Sequence, residues 1–265
     1  MPDARWKPSL LIRASLLLHA AVAIFLIAQP AQWRWALSAL LANHALLTLT
    51  GLLPRCNWLG SNWTRLPETK RAEIALTIDD GPDPIVTPKV LDMLDRYGAK
   101  ATFFCIGEKA ARHPELCRDI VARGHAIENH SQHHSHHFSL LGYQGFIREL
   151  QAAQITLTGI TGQTPLFFRA PAGLRNPFLD PALAKLQLQL ASWSVRGYDT
   201  RVNDAARVAK KLLHGLKAGA ILLLHDGNSA RTQEGKPVIL EALPAILSAA
   251  KESGLEFVTL RAALS

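Results

Sequence analysis

Cysteine is scarce in this chain. Cys56, Cys105 and Cys117 are the only three, and their spacing forms no framework. That excludes a disulfide-built scaffold and suits free thiols. There is no internal repeat and no low-complexity tract, so a solenoid or a disordered tail is excluded too. Also missing is any basic stripe interleaved with aromatics. The net charge of +8 therefore points to anionic lipid headgroups rather than to nucleic acid. Acidic residues are absent from Ser9 to Pro54, whereas from about Glu68 onward the composition is that of an ordinary globular domain.

The 265 residues suffice for one large catalytic domain and an appendage. In the appendage, Ala14–Ala28 and Ala36–Leu53 are apolar, each near the lower limit of the roughly 17–25 residues that span a bilayer. Arg13 and His19 interrupt the first run, and Asn43 and His44 the second. Trp33, Trp35, Trp58 and Trp63 flank the runs, where interfacial aromatics belong. No small-residue cleavage site follows the first run, which argues against a signal peptide. The expectation is a membrane helical hairpin over residues 1–54, with one span plus an interfacial helix as the alternative. The expected location is a bacterial-type inner (cytoplasmic) membrane. Arg5, Lys7 and Arg13 precede the runs and Arg55, Arg65, Lys70 and Arg71 follow them. Two spans would then put the catalytic domain in the cytosol, and one span would put it outside.

Residues 55–71 read as a linker and 72–265 as the catalytic domain. Strand-like runs (Ile74–Ile78, Ala101–Ile106, Ala126–Glu128, Leu166–Phe168, Leu190–Trp193, Ala220–Leu224, Glu256–Leu260) alternate with helix-like ones, among them Ile85–Tyr97 stopped by Gly98 and Asn203–Leu216 capped by Asn203. Such alternation predicts an α/β fold, a parallel sheet closed into a barrel or near-barrel. Asp79, Asp80, His130, Arg169, Asp199 and His225 each follow a strand-like run. In a parallel barrel those positions converge on one face.

The adjacent carboxylates of Thr77-Ile78-Asp79-Asp80-Gly81-Pro82 stand at a strand end. By themselves they also fit a solvated turn. The second signal is the run from Glu128 to His137, which is over-supplied with histidine. Histidines four apart on a helical turn share a face, and three apart nearly so. The pairs 130/133, 130/134 and 133/137 all fit, and spacing alone does not choose among them. With Asp80, any such pair gives the His, His, carboxylate set of catalytic zinc sites, which also suits Co²⁺, Ni²⁺ or Fe²⁺.

From Ile74 to Leu260 the chain resembles the polysaccharide deacetylases, or NodB-homology domains, of carbohydrate esterase family 4. Five motifs occur in family order: Thr77 to Pro82, with Ile78 for the usual Phe; His130, Ser131 and His134; Arg169 to Gly173; Trp193 and Asp199; and Leu223 with His225. The resemblance implies a deformed (β/α) barrel and a hydrolase that removes N-acetyl or N-formyl groups from an amino sugar, in a glycan or on a lipid. It implies a divalent metal, Zn²⁺ first and Co²⁺ or Ni²⁺ also possible, on Asp80, His130 and His134. Asp79 would be the base for the attacking water. Arg169 would orient it. His225 would protonate the departing amine and Asp199 would hold His225. A backbone N–H, that of Ala172, would face the oxyanion, with Pro171, Gly173, Leu223 and Trp193 around the substrate.

Three departures from the family pattern concern the substrate. Arg196 stands where many members have a second acid, Thr200 where an aromatic often follows the aspartate, and Ala172 where the third motif usually has an aromatic. Less stacking surface suits a short or lipid-linked sugar better than a long polymer. Two other readings stay open: a non-sugar amide or O-acetyl ester as substrate, and a non-catalytic membrane protein whose histidines bind metal.

Overall fold

The computed structural model describes residues 6–68 and 72–264. Arg5, Lys70 and Arg71, which enter the charge pattern above, lie outside them. Two helices come first, α1 (Leu10–Ala28) and α2 (Trp33–Gly51), joined by a short 3-10 turn. The side chain of Ser9 caps α1 by accepting the Ile12 N–H. The helices lie side by side and satisfy their polar residues mutually. Asn43 Nδ2 donates to Ser15 Oγ at 2.9 Å, and His19 and His44 bring their Nε2 atoms to 3.3 Å. Among the described residues only α1 is long and apolar enough to cross a membrane. Leu16, Leu17, Ile24 and Ile27 on it are exposed.

The catalytic region runs β1 (Glu73–Asp79), α3 (Thr87–Tyr97), β2 (Ala101–Cys105), α4 (Gly107–Arg112), α5 (Pro114–Ala122), β3 (Ala126–Asn129), α6 (Tyr143–Thr161), β4 (Phe167–Phe168), α7 (Leu179–Lys185), β5 (Gln189–Leu190), β6 (Val195–Arg196), α8 (Ala205–His214), β7 (Ile221–His225), α9 (Val238–Glu252) and β8 (Glu256–Phe257). The sheet order is β5-β4-β3-β2-β1-β7-β6, with β8 beside the start of β1. Every strand pair is parallel. The sheet curls into a half-barrel around β1 and its two long neighbours.

A period of two along the strands builds both faces. Ile74, Leu76 and Ile78 of β1 join Ala101, Phe103 and Cys105 of β2 and Leu222 and Leu224 of β7 in the outer core, against α3 and α9. Each such aliphatic side chain contributes roughly 1.5–3 kcal/mol on burial. The alternate residues Ala75, Phe104, Ile221 and Leu223 line the inside with Phe167 and Trp193. Thr77 and Asp79 share that inner face by the same alternation. A small Ala75 and a short Thr77 leave the interior room for a large polar side chain.

Several local expectations need correction. The cap of α8 is Asp204, whose carboxylate accepts the Arg207 N–H at 3.0 Å, rather than Asn203. Helix α4 and strand β6 were not anticipated. Gly98 does end α3, in the left-handed region at φ 63°.

Candidate active site

Parallel strands place their C-terminal ends on one edge, and the polar residues gather there. Asp79 closes β1 and is the register partner of His225, which closes β7. His130 follows β3 and Arg169 follows β4. Alternation alone would turn Asp80 away from Asp79. Instead Asp80 takes φ 71°, so the chain leaves the strand there and the second carboxylate enters the same site. Two glycines permit the packing. A Cβ on Gly81 would meet the Asp226 carboxylate at 2.4 Å, and one on Gly227 would meet the Asp80 carbonyl oxygen at 2.1 Å.

Asp80 Oδ1 lies 3.1 Å from His130 Nε2 and 3.2 Å from His134 Nε2. These three residues form a possible metal-binding triad, their ligand atoms all within 4.8 Å of one another. His130 Nδ1 faces the Arg169 carbonyl at 2.8 Å. A carbonyl only accepts, so Nδ1 carries the proton and the neutral ring keeps its lone pair on Nε2. Nε2 and a carboxylate oxygen then converge as two electron-rich atoms, an approach that requires a cation between or upon them. That donor chemistry fits a divalent metal. Burial works against charge on Asp80, yet when the imidazoles are protonated, hydrogen bonds from His130 and His134 and the charge of His130 and His225 outweigh it and hold the carboxyl far below the usual range.

The helical turn expected for the histidines is not present. Ser131 and His134 both adopt left-handed backbone, φ 64° and 52°. Asn129 Oδ1 accepts the Ser131 N–H, and Ser131 Oγ accepts the His134 N–H. This knot of local hydrogen bonds, not helical periodicity, brings His134 beside His130. The open choice among pairs is resolved in space: His133 turns to Glu149 at 2.8 Å and is exposed.

Arg169 is buried beneath the triad. Its Nη1 donates to Asp79 Oδ1 at 2.7 Å and to Thr77 Oγ1 at 2.8 Å. Its other nitrogens donate to the carbonyls of Ala191 and Ser192, and Phe104 lies under the guanidinium at 4.1 Å. Burial lowers the pKa of Arg169 and the Asp79 charge opposes that. On the other side, His225 Nδ1 donates to Asp199 Oδ1 at 2.9 Å, and the His225 N–H donates to Oδ2 at 2.7 Å. Burial favours the neutral imidazole, but the Asp199 charge and hydrogen bond, with Asp79 and Asp80 adding, raise the pKa above the ordinary histidine value.

Asp79, Asp80, His130, His134, Ala172, Gly173, Trp193, Leu223 and His225 line one hollow of about 300 Å³. Arg169 and Asp199 support it from below, and Pro171 is buried behind Ala172. Ala172 sits at φ 54° and Gly173 at φ 74°. Sequence reasoning missed Asn228, whose Nδ2 donates to Asp80 Oδ2 at 3.2 Å, and Lys109 of α4, whose Nζ donates to the Asp80 carbonyl at 2.8 Å. It also missed Pro54, which a Cβ on Gly173 would strike at 2.7 Å. The Asp-Gly-Asn run after His225 was the available signal for Asn228.

The polysaccharide deacetylase family model matches residues 67–191. A peptidoglycan-N-acetylglucosamine deacetylase of Bacillus cereus is 35% identical over 188 residues, covering 70% of this chain and 85% of the relative. A chitooligosaccharide deacetylase of Bradyrhizobium sp. is 32% identical over 189 residues, covering 69% and 86%. The family 4 carbohydrate esterase of Streptomyces lividans, solved in complex with acetate, superposes with a TM-score of 0.63 at 31% identity, over 70% of this chain and 91% of that one. By sequence over most of its length and by the shape of its sheet, the chain belongs to the polysaccharide deacetylase family.

Proposed function

We propose that this protein is a metal-dependent hydrolase that removes an N-acyl group, acetyl or formyl, from an amino sugar. The observation that carries the reading is one hollow in which a carboxylate–imidazole triad is flanked by the Asp79–Arg169 pair and by the His225–Asp199 pair. The relatives' names as N-acetylglucosamine and chitooligosaccharide deacetylases support it.

Asp80, His130 and His134 would hold the metal, Zn²⁺ first and Co²⁺ or Ni²⁺ as alternatives. When bound, a divalent cation there supplies Lewis acidity, polarising the amide carbonyl and acidifying water. Asp79 accepts the proton of the attacking water. Arg169 fixes its carboxylate through a charge-assisted hydrogen bond from a buried side chain that also donates to Thr77 and to the carbonyls of Ala191 and Ser192. Asp199 holds Nδ1–H of His225 and raises the ring's basicity, which favours the form protonated on both nitrogens. Nε2–H is then the proton for the leaving nitrogen, which must depart as an amine. The N–H of Ala172 is the candidate donor to the oxyanion. Pro171, Gly173, Leu223 and Trp193 shape the floor for the sugar.

Helix α1 anchors the domain to a membrane in this reading. Support comes from its exposed apolar surface and from contacts that tie the chain at its start to the linker and to the catalytic region. Ser9 Oγ donates to the Trp58 carbonyl at 2.6 Å, and Trp6 Nε1 to Asp180 at 2.7 Å. A segment removed on export would have no use for either.

The test is acetate and formate release by the purified full chain, after chelation and after restoring Zn²⁺ or Co²⁺. Metal-restored release from N-acyl amino sugars supports the reading. Release only from esters or non-sugar amides moves it to another substrate class, and metal binding without release from any of these overturns it.

A further inference from the structure

A second hollow, of about 420 Å³, lies beside the catalytic one and shares Trp193 and Arg196 with it. Its remaining walls include Pro54, Arg55, Lys211 and His214. No acidic residue lines it. Among the described residues, no carboxylate forms an ion pair with Arg55, Arg196 or Lys211.

Aromatic rings hold two of these cations instead. The Arg196 guanidinium stands 5.4 Å over Trp193 and 5.2 Å over Tyr198, and Lys211 Nζ stands 4.1 Å over Tyr198. Ring faces position a cation without cancelling its charge. Arg196 Nε is buried and has no hydrogen-bond partner. A buried donor left unpaired costs about 1–3 kcal/mol. Arg55 Nη1 is tethered to the Ser194 carbonyl at 3.1 Å, so its charge too is held at the rim. Fixed, unneutralised cations with a free donor are the chemistry of a receptor for an oxyanion. Guanidinium groups match phosphate in geometry as well as in charge.

We propose that this second hollow binds a phosphate or diphosphate ester carried by the amino-sugar substrate, while the sugar's N-acyl group enters the catalytic hollow. The inference rests on the deacylase reading and deepens it by naming the substrate class. Pro54 and Arg55 lie three and four residues past the end of α2, so the cavity lies where the appendage joins the catalytic region. A polyprenyl-linked sugar phosphate delivered at a membrane surface and a soluble sugar phosphate share the recognised chemistry. The test separates the two.

The first experiment is equilibrium dialysis of radiolabelled inorganic pyrophosphate against the full chain in detergent, for wild type, Lys211→Glu and Arg55→Gln. Saturable binding weakened at least tenfold by Lys211→Glu and severalfold by Arg55→Gln is expected. Absence of binding overturns the proposal. So does binding that neither change weakens, because pyrophosphate would then be held elsewhere, for instance at the metal triad.

The second experiment compares kcat/KM on chitotriose, N-acetylglucosamine 1-phosphate and a polyprenyl-diphosphate-linked N-acetylglucosamine. The expected result is a preference for the phosphate-bearing substrates that falls at least tenfold in Lys211→Glu. Preference for the lipid-linked compound over the soluble phosphate assigns the lipid source, and the reverse assigns the soluble one. Release from chitotriose with no phosphate preference overturns the subsite and leaves the deacylase reading intact. Pyrophosphate binding lost in Lys211→Glu, with no acyl release from any substrate, supports the subsite and overturns the deacylase reading.

Discussion

Asp79 and His225 are register partners on adjacent parallel strands, and each is bound from behind by a buried ion of opposite charge, Arg169 and Asp199 respectively. If one takes a proton and the other gives one, removing either stops one half of the reaction. Asp79→Asn and His225→Ala are each expected to lower kcat by about 10²–10⁴-fold. Steady-state kinetics with metal content measured in parallel checks this. Unchanged kcat at full metal loading would refute the assigned roles.

In the proposed mechanism the raised pKa of His225 sets the alkaline side of the pH profile. The working form is protonated, so activity is present below that pKa and falls as pH rises through it. The limb is expected above the ordinary histidine value of ~6.5. Asp199→Asn removes the charge that raises the pKa and should move the limb to lower pH. A limb that stays in place would separate His225 from proton donation.

His134 and His133 are neighbours with different surroundings. His134 faces Asp80, while His133 is exposed and paired with Glu149. His134→Ala is expected to weaken metal binding by at least ~10²-fold, since it removes one of the three proposed protein ligands. His133→Ala should leave affinity within about twofold, as exposed pairs contribute little. Competition with a chromophoric chelator measures both. Equal losses would mean that the histidine run binds as an undifferentiated tract.

His125 gives a stability prediction. Burial, with Lys100 adding, lowers its pKa to about 4. Its Nδ1 accepts the Ala101 N–H at 3.2 Å, which requires the neutral ring. The unfolded chain binds this proton from ~6.5 downward and the folded chain only near 4, so stability is full above ~6.5 and is lost as pH falls toward 4. The loss is on the order of 2–3 kcal/mol. Urea midpoints at pH 7 and pH 4.5 should differ less in His125→Gln than in wild type.

Gly227→Ala tests the second carboxylate's setting. The new methyl meets the Asp80 carbonyl oxygen, so the turn must shift. A cost of about 1–3 kcal/mol is expected, together with weaker metal binding. Thermal melts and metal titration on the same sample check both. Loss of stability with unaltered affinity would show that Asp80 moves independently of its turn.

Much of this was legible in the sequence, for identifiable reasons. β1 stands out because all of its residues are buried, so Ile74 to Ile78 reads as apolar against polar flanks. The convergence of Asp79, His130, Arg169 and His225 follows from parallel strands alone. The histidine knot was not legible, because nothing in the letters of Ser131 and His134 signals left-handed backbone. Helix α4 was missed because Gly-Glu-Lys-Ala-Ala-Arg is short and polar, and its burial comes from packing on α6. The place of Pro54, in the wall of the second hollow and against Gly173 of the catalytic one, depends on an approach between residues more than a hundred apart in the chain.

Arg169 has a consequence for the architecture as a whole. The strand order ends at β5 and β6, with the chain passing directly from one to the other. Arg169 reaches across the interior from the end of β4 to Thr77 and Asp79 on β1, and to the carbonyls of Ala191 and Ser192 on that connecting passage. It is therefore a clasp on the seam where strand pairing runs out. In the proposed mechanism the side chain that orients the Asp79 carboxylate is also the one that ties β1 to this passage, so chemistry and shape at this position share a single point of failure.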